Sequence, residues 1–153
     1  MSFIEKNLQP GEQIMFRTKK HIIIFLVPVL WTLLIFIFLF NSNPFIQKAA
    51  FLAAICAIAT WSKELLNYYT SEFAVTDKRI VMKEGFFFRH TNETRLTTIA
   101  NVTINQNLLA QMLDYGTVLI NTFGGETDPF SQIASPIQFQ NHALAQLEKL
   151  TQK

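Results

Sequence analysis

Residues 22–40 read IIIFLVPVLWTLLIFIFLF, a run of 19 residues that contains no charged side chain. As an α-helix this run would be about 28 Å long, close to the thickness of the hydrocarbon core of a bilayer. Thr32 is its only polar side chain besides the indole of Trp31. The run therefore predicts a membrane-spanning helix, in which Pro28 would be carried with a kink.

A cleaved signal peptide is the alternative interpretation of this first run. The run is longer than the usual apolar region of a signal peptide, and 21 residues precede it. No cleavage site of small residues follows it directly. These features favour retention of the run as a membrane span.

A second apolar run covers residues 45–61 and follows the turn signal Asn41-Ser42-Asn43-Pro44. As a helix it would be about 26 Å long. Lys48 lies one turn inside, where its long stem can reach the headgroups. We expect a two-helix transmembrane hairpin over residues 22–66, although the second run also suits a re-entrant or buried helix.

The charges that flank the hairpin predict its orientation. Arg17, Lys19 and Lys20 precede the first run, and Lys63 follows the second. Positive flanks stay on the cytoplasmic side, so both termini are expected in the cytoplasm. Cys56 is the only cysteine, which excludes an intramolecular disulfide and a zinc site of several cysteines, and agrees with a reducing compartment.

Residues 67–153 are nearly neutral, with seven Lys and Arg against eight Asp and Glu, a net charge of −1. A neutral domain gains little from the release of counterions from a nucleic-acid backbone. DNA or RNA is therefore not expected as a partner.

The same region changes from continuous apolar sequence to alternation, which indicates strands. Tyr69, Ser71, Phe73 and Val75 share one face of a predicted half-buried strand. Further strands are predicted at 79–84, 86–96, 101–105, 116–123 and 130–134, with 13–18 as a possible seventh.

Two helices are predicted among these strands. Residues 107–114 place Leu108, Leu109, Met112 and Leu113 at helical spacing, in a helix too short to be stable alone. The last helix begins at Ser135, which with Gln138 forms a capping box. Its apolar stripe of Phe139, Ala143, Leu147 and Leu150 suggests a curled sheet plugged by this helix.

Several short motifs resemble the bacterial PH-like family often called the membrane-flanked domain. They are Leu8-Gln9-Pro10-Gly11-Glu12, Lys20-His21, Thr76-Asp77-Lys78-Arg79-Ile80, Gly85, residues 96–102 and 106–113, Tyr115-Gly116-Thr117-Val118 and Gly124-Gly125. The resemblance implies an α+β fold: a transmembrane hairpin, then a PH-like split β-barrel of seven strands capped by a C-terminal helix. The expected parts are residues 1–21 as an N-terminal cytoplasmic segment, 22–66 as the hairpin and 67–153 as the PH-like domain, in a bacterial inner (plasma) membrane.

Neither the sequence nor the resemblance supplies a catalytic residue, a metal or a cofactor. His21, His90 and His142 lack a second ligand at metal spacing, and no common catalytic or nucleotide-binding motif occurs. Glu126 and Asp128 are read as solvated loop carboxylates. We therefore do not expect an enzyme or a small-molecule substrate.

The candidate contact residues for a lipid or a partner are cations and one aromatic ring: Lys78, Arg79, Lys83, Phe87 and Arg89. The cations would gather near the first β-hairpin and meet anionic headgroups. The structural alternative places them on the outer face of an edge strand, with Asp77 capping the turn. One ring of Phe86-Phe87-Phe88 must leave the core face, either to pack beneath another segment or to form an exposed patch.

These observations favour a non-catalytic interaction or scaffold module at the cytoplasmic face of the inner membrane. Its partner would be another protein or a second copy of the chain. Binding of anionic lipid headgroups is the first alternative. An accessory subunit of a membrane enzyme or transport complex is the second, and it is weakened by the nearly complete lack of polar residues within the spans.

Overall fold

The computed structural model describes residues 3–41, 43–86, 90–125 and 127–151. The chain divides into two compact units. The apolar unit is Ile22–Tyr69, and the β-domain combines the residues up to His21 with those from Thr70 onward. The described part of the N-terminal segment, residues 3–21, therefore belongs to the same compact unit as the strands that follow Thr70.

The apolar unit contains a 3-10 helix, Ile22–Phe25, followed by α2, Leu26–Leu39, and α3, Pro44–Thr70. Pro28 lies in the first turn of α2, where a missing N–H costs little, so no kink within the helix is needed. α3 is about 40 Å long and continues beyond the predicted ends at 61 and 66. It continues because neither Gly nor Pro interrupts the sequence before Ser71.

Polar groups in the apolar unit are satisfied locally. Asn43 accepts a hydrogen bond from the Phe45 amide at 2.9 Å at the start of α3. The Thr32 hydroxyl donates to the Val29 carbonyl at 2.7 Å, and the Ser62 hydroxyl donates to the Ile58 carbonyl at 2.8 Å. Side chains bonded to their own helix in this way need no water.

Two helical segments of the apolar unit are long and apolar enough to cross a membrane: Ile22–Leu39, which combines the 3-10 helix with α2, and Phe45–Thr70 in α3. Only 11 % of the most apolar window of the first and 17 % of that of the second are buried. The exposed fractions of Phe36, Ile37 and Phe51 are 64 %, 67 % and 73 %. A core helix of a soluble protein would instead be mostly buried.

The β-domain contains two open antiparallel sheets. The first has the order β1-β2-β3-β4, and the second has the order β5-β6-β7. The strands are β1 Ile14–Thr18, β2 Glu72–Thr76, β3 Arg79–Glu84, β4 His90–Arg95, β5 Ile99–Asn105, β6 Tyr115–Thr122 and β7 Thr127–Ala134. The helices are α1 Phe3–Lys6, α4 Leu108–Met112 and α5 Pro136–Thr151, and a 3-10 turn covers Leu96–Thr98.

The segment that follows β1 connects the two sheets. Lys20 forms a bridge with Ile133 of β7, and the His21 amide donates to the Gln132 carbonyl at 2.7 Å. α5 lies against the core, where Phe139 and Ala143 are fully buried. They pack with residues of both sheets, among them Phe73 and Phe130.

Three local predictions are wrong. β2, which was predicted to begin at Tyr69, begins at Glu72. It was predicted to be half-buried, but it is buried on both faces because Ile4 of α1 covers Ala74 and Val81. β3 is an inner strand and not an edge strand.

The predicted capping box is also absent from the described contacts of α5. The Ser135 hydroxyl donates to the Asp114 carboxylate at 2.6 Å, and Ser135 adopts a φ of 49°. A residue at this φ is in the left-handed region, whereas a capping residue has an extended backbone. The Ser135 side chain therefore binds the loop that contains Asp114 instead of capping α5.

Candidate interaction surfaces

The β-domain has two ends that differ in how the chain reaches them. We call the tether end the one where His21 and Thr70 connect covalently to the apolar unit. Thr18 lies opposite Phe73 there, and Lys20 binds Glu84 at the end of β3 with an Nζ–Oε1 distance of 2.5 Å. The opposite, distal end holds the turn between β2 and β3.

The antiparallel register separates the candidate cations. Lys78 and Arg79 lie at the distal end, and Lys83 lies near the tether end. Five residues along a strand correspond to about 17 Å between Lys78 and Lys83. The structure therefore separates Lys78 and Arg79 from Lys83, and the other two candidates, Phe87 and Arg89, lie outside the described residues.

Arg79 binds the carboxylate of Glu12, which lies in the motif Leu8-Gln9-Pro10-Gly11-Glu12 but is not among the candidate contact residues. Its Nε donates to Oε1 of Glu12 at 2.9 Å and its Nη2 donates to Oε2 at 3.0 Å. The Glu12 side chain is completely buried and also accepts from the Gln9 amide at 2.7 Å and the Thr76 hydroxyl at 2.8 Å. Charge-assisted hydrogen bonds of this kind are roughly twice as strong as neutral ones, and the bidentate geometry fixes the orientation of both groups.

The remaining donors of Arg79 bind the same region. Its Nη2 donates to the Asn7 carbonyl at 2.6 Å, and its Nη1 pairs with Glu93 on β4. The Gln13 amide donates to Asp77 at 2.9 Å. The Thr-Asp-Lys-Arg motif thus fastens the N-terminal loop to the turn between β2 and β3, which is a structural role.

The network shifts the pKa values of both partners. Burial alone would raise the pKa of Glu12, but hydrogen bonds from Arg79, the Gln9 amide and Thr76 bring it below its ordinary value of 4.5. The hydrogen bond to Glu12 raises the pKa of Arg79. Both groups therefore stay charged at neutral pH.

A polar cleft of about 460 Å³ opens beside this network at the distal end. It is lined by Gln9, Lys78, Arg79, Glu93 and Arg95. Lys78 and Arg95 are exposed, whereas Arg79 is held by Glu12 and Glu93. The cleft can therefore offer two exposed cations to an anionic group.

The tether end presents an apolar surface on α4. Leu108, Leu109 and Met112 are 79 %, 64 % and 83 % exposed, while Ala110 is only 3 % exposed. The short helix was predicted, but its large side chains point away from the core. Periodicity shows that such residues share a region of a helix without showing which way that region faces.

Two histidines have aromatic partners. The His21 ring stacks on Tyr115 with ring centroids 5.3 Å apart, and the His142 ring stacks on Phe16 at 4.6 Å. Among residues 3–41, 43–86, 90–125 and 127–151, no group of three His, Cys, Asp or Glu side chains could hold a metal ion. Glu126 lies outside this set.

A family model described as a bacterial PH domain matches residues 22–151. The match includes both helices of the apolar unit, strands β2 to β7 and α5. No curated protein and no solved structure matches the chain.

Proposed function

We propose that this chain, which belongs to the bacterial PH domain family, is a membrane-anchored interaction module. PH domains are generally non-catalytic modules that bind proteins or lipids. The observation that carries the proposal is the exposure of two membrane-length apolar helices in the same chain as a packed β-domain.

Exposure of these side chains is unfavourable in water and favourable in lipid. Burial of each large aliphatic or aromatic side chain is worth about 1.5–3 kcal/mol. Phe36 and Ile37 of α2 and Phe51 of α3 are among many such side chains that remain exposed. A bilayer would cover them all at once, and it would explain why α2 is apolar on every side.

For the orientation we propose that both termini lie in the cytoplasm, at the inner (plasma) membrane. Arg17 pairs with Glu72 and Lys20 pairs with Glu84 in the folded chain. Such pairing does not cancel the topological signal, because orientation follows Lys and Arg near the spans and acidic residues contribute little.

Carbonate extraction tests the anchor. Membranes that contain the full-length chain should retain it after washing at high pH. The matched variant Leu33→Lys with Ile37→Lys changes two exposed positions of α2 and should be released. Each lysine in mid-span costs about 2.5–3.5 kcal/mol on insertion scales. Release of the natural chain would contradict the proposal.

Reporter fusions test the orientation separately. A fluorescent protein fused behind Lys153 should fluoresce in the cytoplasm, and alkaline phosphatase at the same position should be inactive. Active phosphatase would place the C-terminus outside the cytoplasm. That result would contradict the orientation while leaving the anchor intact.

Cross-linking in native membranes tests the interaction role. Under the proposal, the full-length chain forms discrete adducts, either with itself or with one partner, which includes a membrane enzyme or transporter. The Leu33→Lys, Ile37→Lys variant serves as the control, because a chain released from the membrane should lose these adducts. A natural chain that remains monomeric without adducts would contradict a scaffold role.

A second candidate function is recognition of anionic lipid headgroups at the distal cleft. Lys78 and Arg95 are exposed on one cleft, and each surface cation adds about 1 kcal/mol near an anionic leaflet. The double variant Lys78→Glu, Arg95→Glu should therefore weaken the binding of full-length protein in nanodiscs to anionic vesicles. Lys83→Glu, at the other end of β3, is the control, and equal binding by all three proteins would contradict this candidate.

A further inference from the structure

Four consecutive or neighbouring apolar residues on and after α4 are exposed: Leu108, Leu109, Met112 and Leu113. Their exposed fractions are 79 %, 64 %, 83 % and 48 %. We call these four residues the apolar knob. Contiguous exposed apolar residues on a soluble domain mark a surface that is covered by a partner or by a membrane.

Polar contacts hold the backbone of the apolar knob in place. Asn107 accepts from the Ala110 amide at 2.8 Å, and Gln106 donates to the Tyr115 carbonyl at 2.7 Å. Gly116 permits this close approach, since a Cβ there would lie 2.8 Å from Cγ of Gln106. The loop is therefore fixed by hydrogen bonds, while its large apolar side chains contribute little to the core.

The apolar knob lies at the tether end. Tyr115 follows Leu113 by two residues and stacks on His21 with ring centroids 5.3 Å apart. The next residue, Ile22, begins the first apolar helical segment. The knob is thus close to the point where the chain leaves the β-domain for the apolar unit.

The composition of the loop suits the interfacial region of a bilayer. Residues 105–113 contain no charged side chain, so insertion requires no desolvation of an ion. Their polar members, such as Gln106 and Asn107, are already bonded to the backbone. A protein partner would also suit the exposed residues chemically. The membrane is favoured because the chain continues from this end into the apolar unit, which is proposed to lie in the membrane.

We infer that the apolar knob inserts into the boundary between headgroups and acyl chains of the membrane that holds the apolar unit. Interfacial apolar faces of this kind are buried about 5–10 Å into that boundary. The inference rests on the proposed membrane anchor and adds a second point of attachment. This contact would restrict the rotation of the β-domain on its tether and so define which surface faces the cytoplasm.

An environment-sensitive fluorophore tests the inference in the full-length chain. The protein is labelled with nitrobenzoxadiazole at Met112→Cys in a Cys56→Ala background and placed in nanodiscs of phosphatidylethanolamine and phosphatidylglycerol. The matched control is Phe123→Cys, because Phe123 is 78 % exposed and lies at the distal end. Its amide donates to the Thr98 carbonyl, in the turn whose Leu96 amide donates to the Lys78 carbonyl. The expected result is blue-shifted emission at position 112, with quenching by lipid-borne nitroxide and not by iodide, and the reverse at position 123.

The alternative outcomes each overturn a defined statement. Emission typical of water at both positions, with the protein retained after carbonate extraction, would overturn the inference and leave the anchor intact. Protection of position 112 from both quenchers would indicate cover by protein and would also overturn the inference. Release of the natural chain by carbonate would overturn the anchor and the inference together. If the Met112→Cys protein does not fold, as judged by the loss of cooperative unfolding, the measurement is repeated with Leu108→Cys.

Discussion

The two ends of the β-domain use polar groups in opposite ways. At the distal end, Glu12 and Arg79 form a buried pair that fastens one loop to another. At the tether end, hydrogen bonds from Gln106 and Asn107 hold a loop whose apolar side chains are exposed. At the distal end the charges of Glu12 and Arg79 are bonded to groups of the β-domain itself. At the tether end the apolar side chains are exposed and can contact another surface.

This difference shows that a conspicuous sequence motif need not be a surface that is accessible to a partner. The Thr-Asp-Lys-Arg motif contains the densest charges of the β-domain, yet the guanidinium of Arg79 is occupied by Glu12, Glu93 and the Asn7 carbonyl. The uncharged residues 105–113 contain no recognisable binding motif, yet they expose the larger apolar surface. An interaction surface is therefore better sought among groups that the fold leaves accessible.

Removal of Arg79 should have the largest effect. Arg79→Ala leaves the carboxylate of Glu12 buried without its ion partner, so we expect a loss of about 3–5 kcal/mol in the free energy of unfolding. Circular dichroism of the full chain in detergent micelles during urea denaturation measures it. The control is Arg95→Ala, which removes an exposed cation from the same cleft and should cost less than about 0.5 kcal/mol. Similar costs for both variants would show that the distal end is not held by the pair.

Acid should weaken the distal end by the same mechanism. The pKa of Glu12 lies below its ordinary value of 4.5, so its ionised form stabilises the folded chain. This stability is fully present above pH 4.5 and is lost as the pH falls through the lower pKa of the folded state. The unfolding free energies of the natural chain and of Glu12→Gln should therefore converge below that pH. A constant difference down to strong acid would contradict a lowered pKa.

Crowding at Gly116 should have a smaller effect, at the tether end. A Cβ at this position would lie 2.8 Å from Cγ of Gln106, 3.1 Å from Cγ of Pro136 and 3.3 Å from the Asn105 carbonyl. Because Gln106 is tied to Tyr115, it cannot move without breaking a hydrogen bond. Gly116→Ala should therefore cost about 1–3 kcal/mol. Gly124→Ala is the control, since its Cβ would meet only the Thr122 hydroxyl at 3.8 Å; equal stability of the two variants would show that this packing is not tight.

Periodicity and turn signals predicted most elements of the β-domain, but not their partners. The sequence showed β3 and β6 clearly because their buried residues alternate or lie between polar turns. β7 was predicted only as residues 130–134, since Pro129 interrupts the run. In the structure the strand also contains Gln132 at a φ of 59°, an irregularity that the sequence does not show. β4, with the sequence HTNETR, has no apolar residue, and its place in the sheet depends on pairing with β3.

The distal network was missed because its parts are far apart in sequence. Glu12 follows a Pro-Gly turn and lies 67 positions from Arg79, so no local pattern relates them. Both residues belong to motifs that resemble the family, Leu8-Gln9-Pro10-Gly11-Glu12 and Thr76-Asp77-Lys78-Arg79-Ile80, but the resemblance does not show that they pair. The small core around Ile4 was missed for a different reason, since α1 has only four residues and is too short to be predicted from propensity.

Polar substitution in the apolar knob should have the smallest effect on stability, and that result would sharpen the contrast between the two ends. Met112 is 83 % exposed, so Met112→Asn should change the unfolding free energy in micelles by less than about 0.5 kcal/mol. The control is Ala110, which lies two positions away and is only 3 % exposed. Ala110→Leu should cost about 1–3 kcal/mol by overpacking. If Met112→Asn instead proved the more damaging change, Met112 would have to pack inward, and the tether end would then be closed in the same way as the distal end.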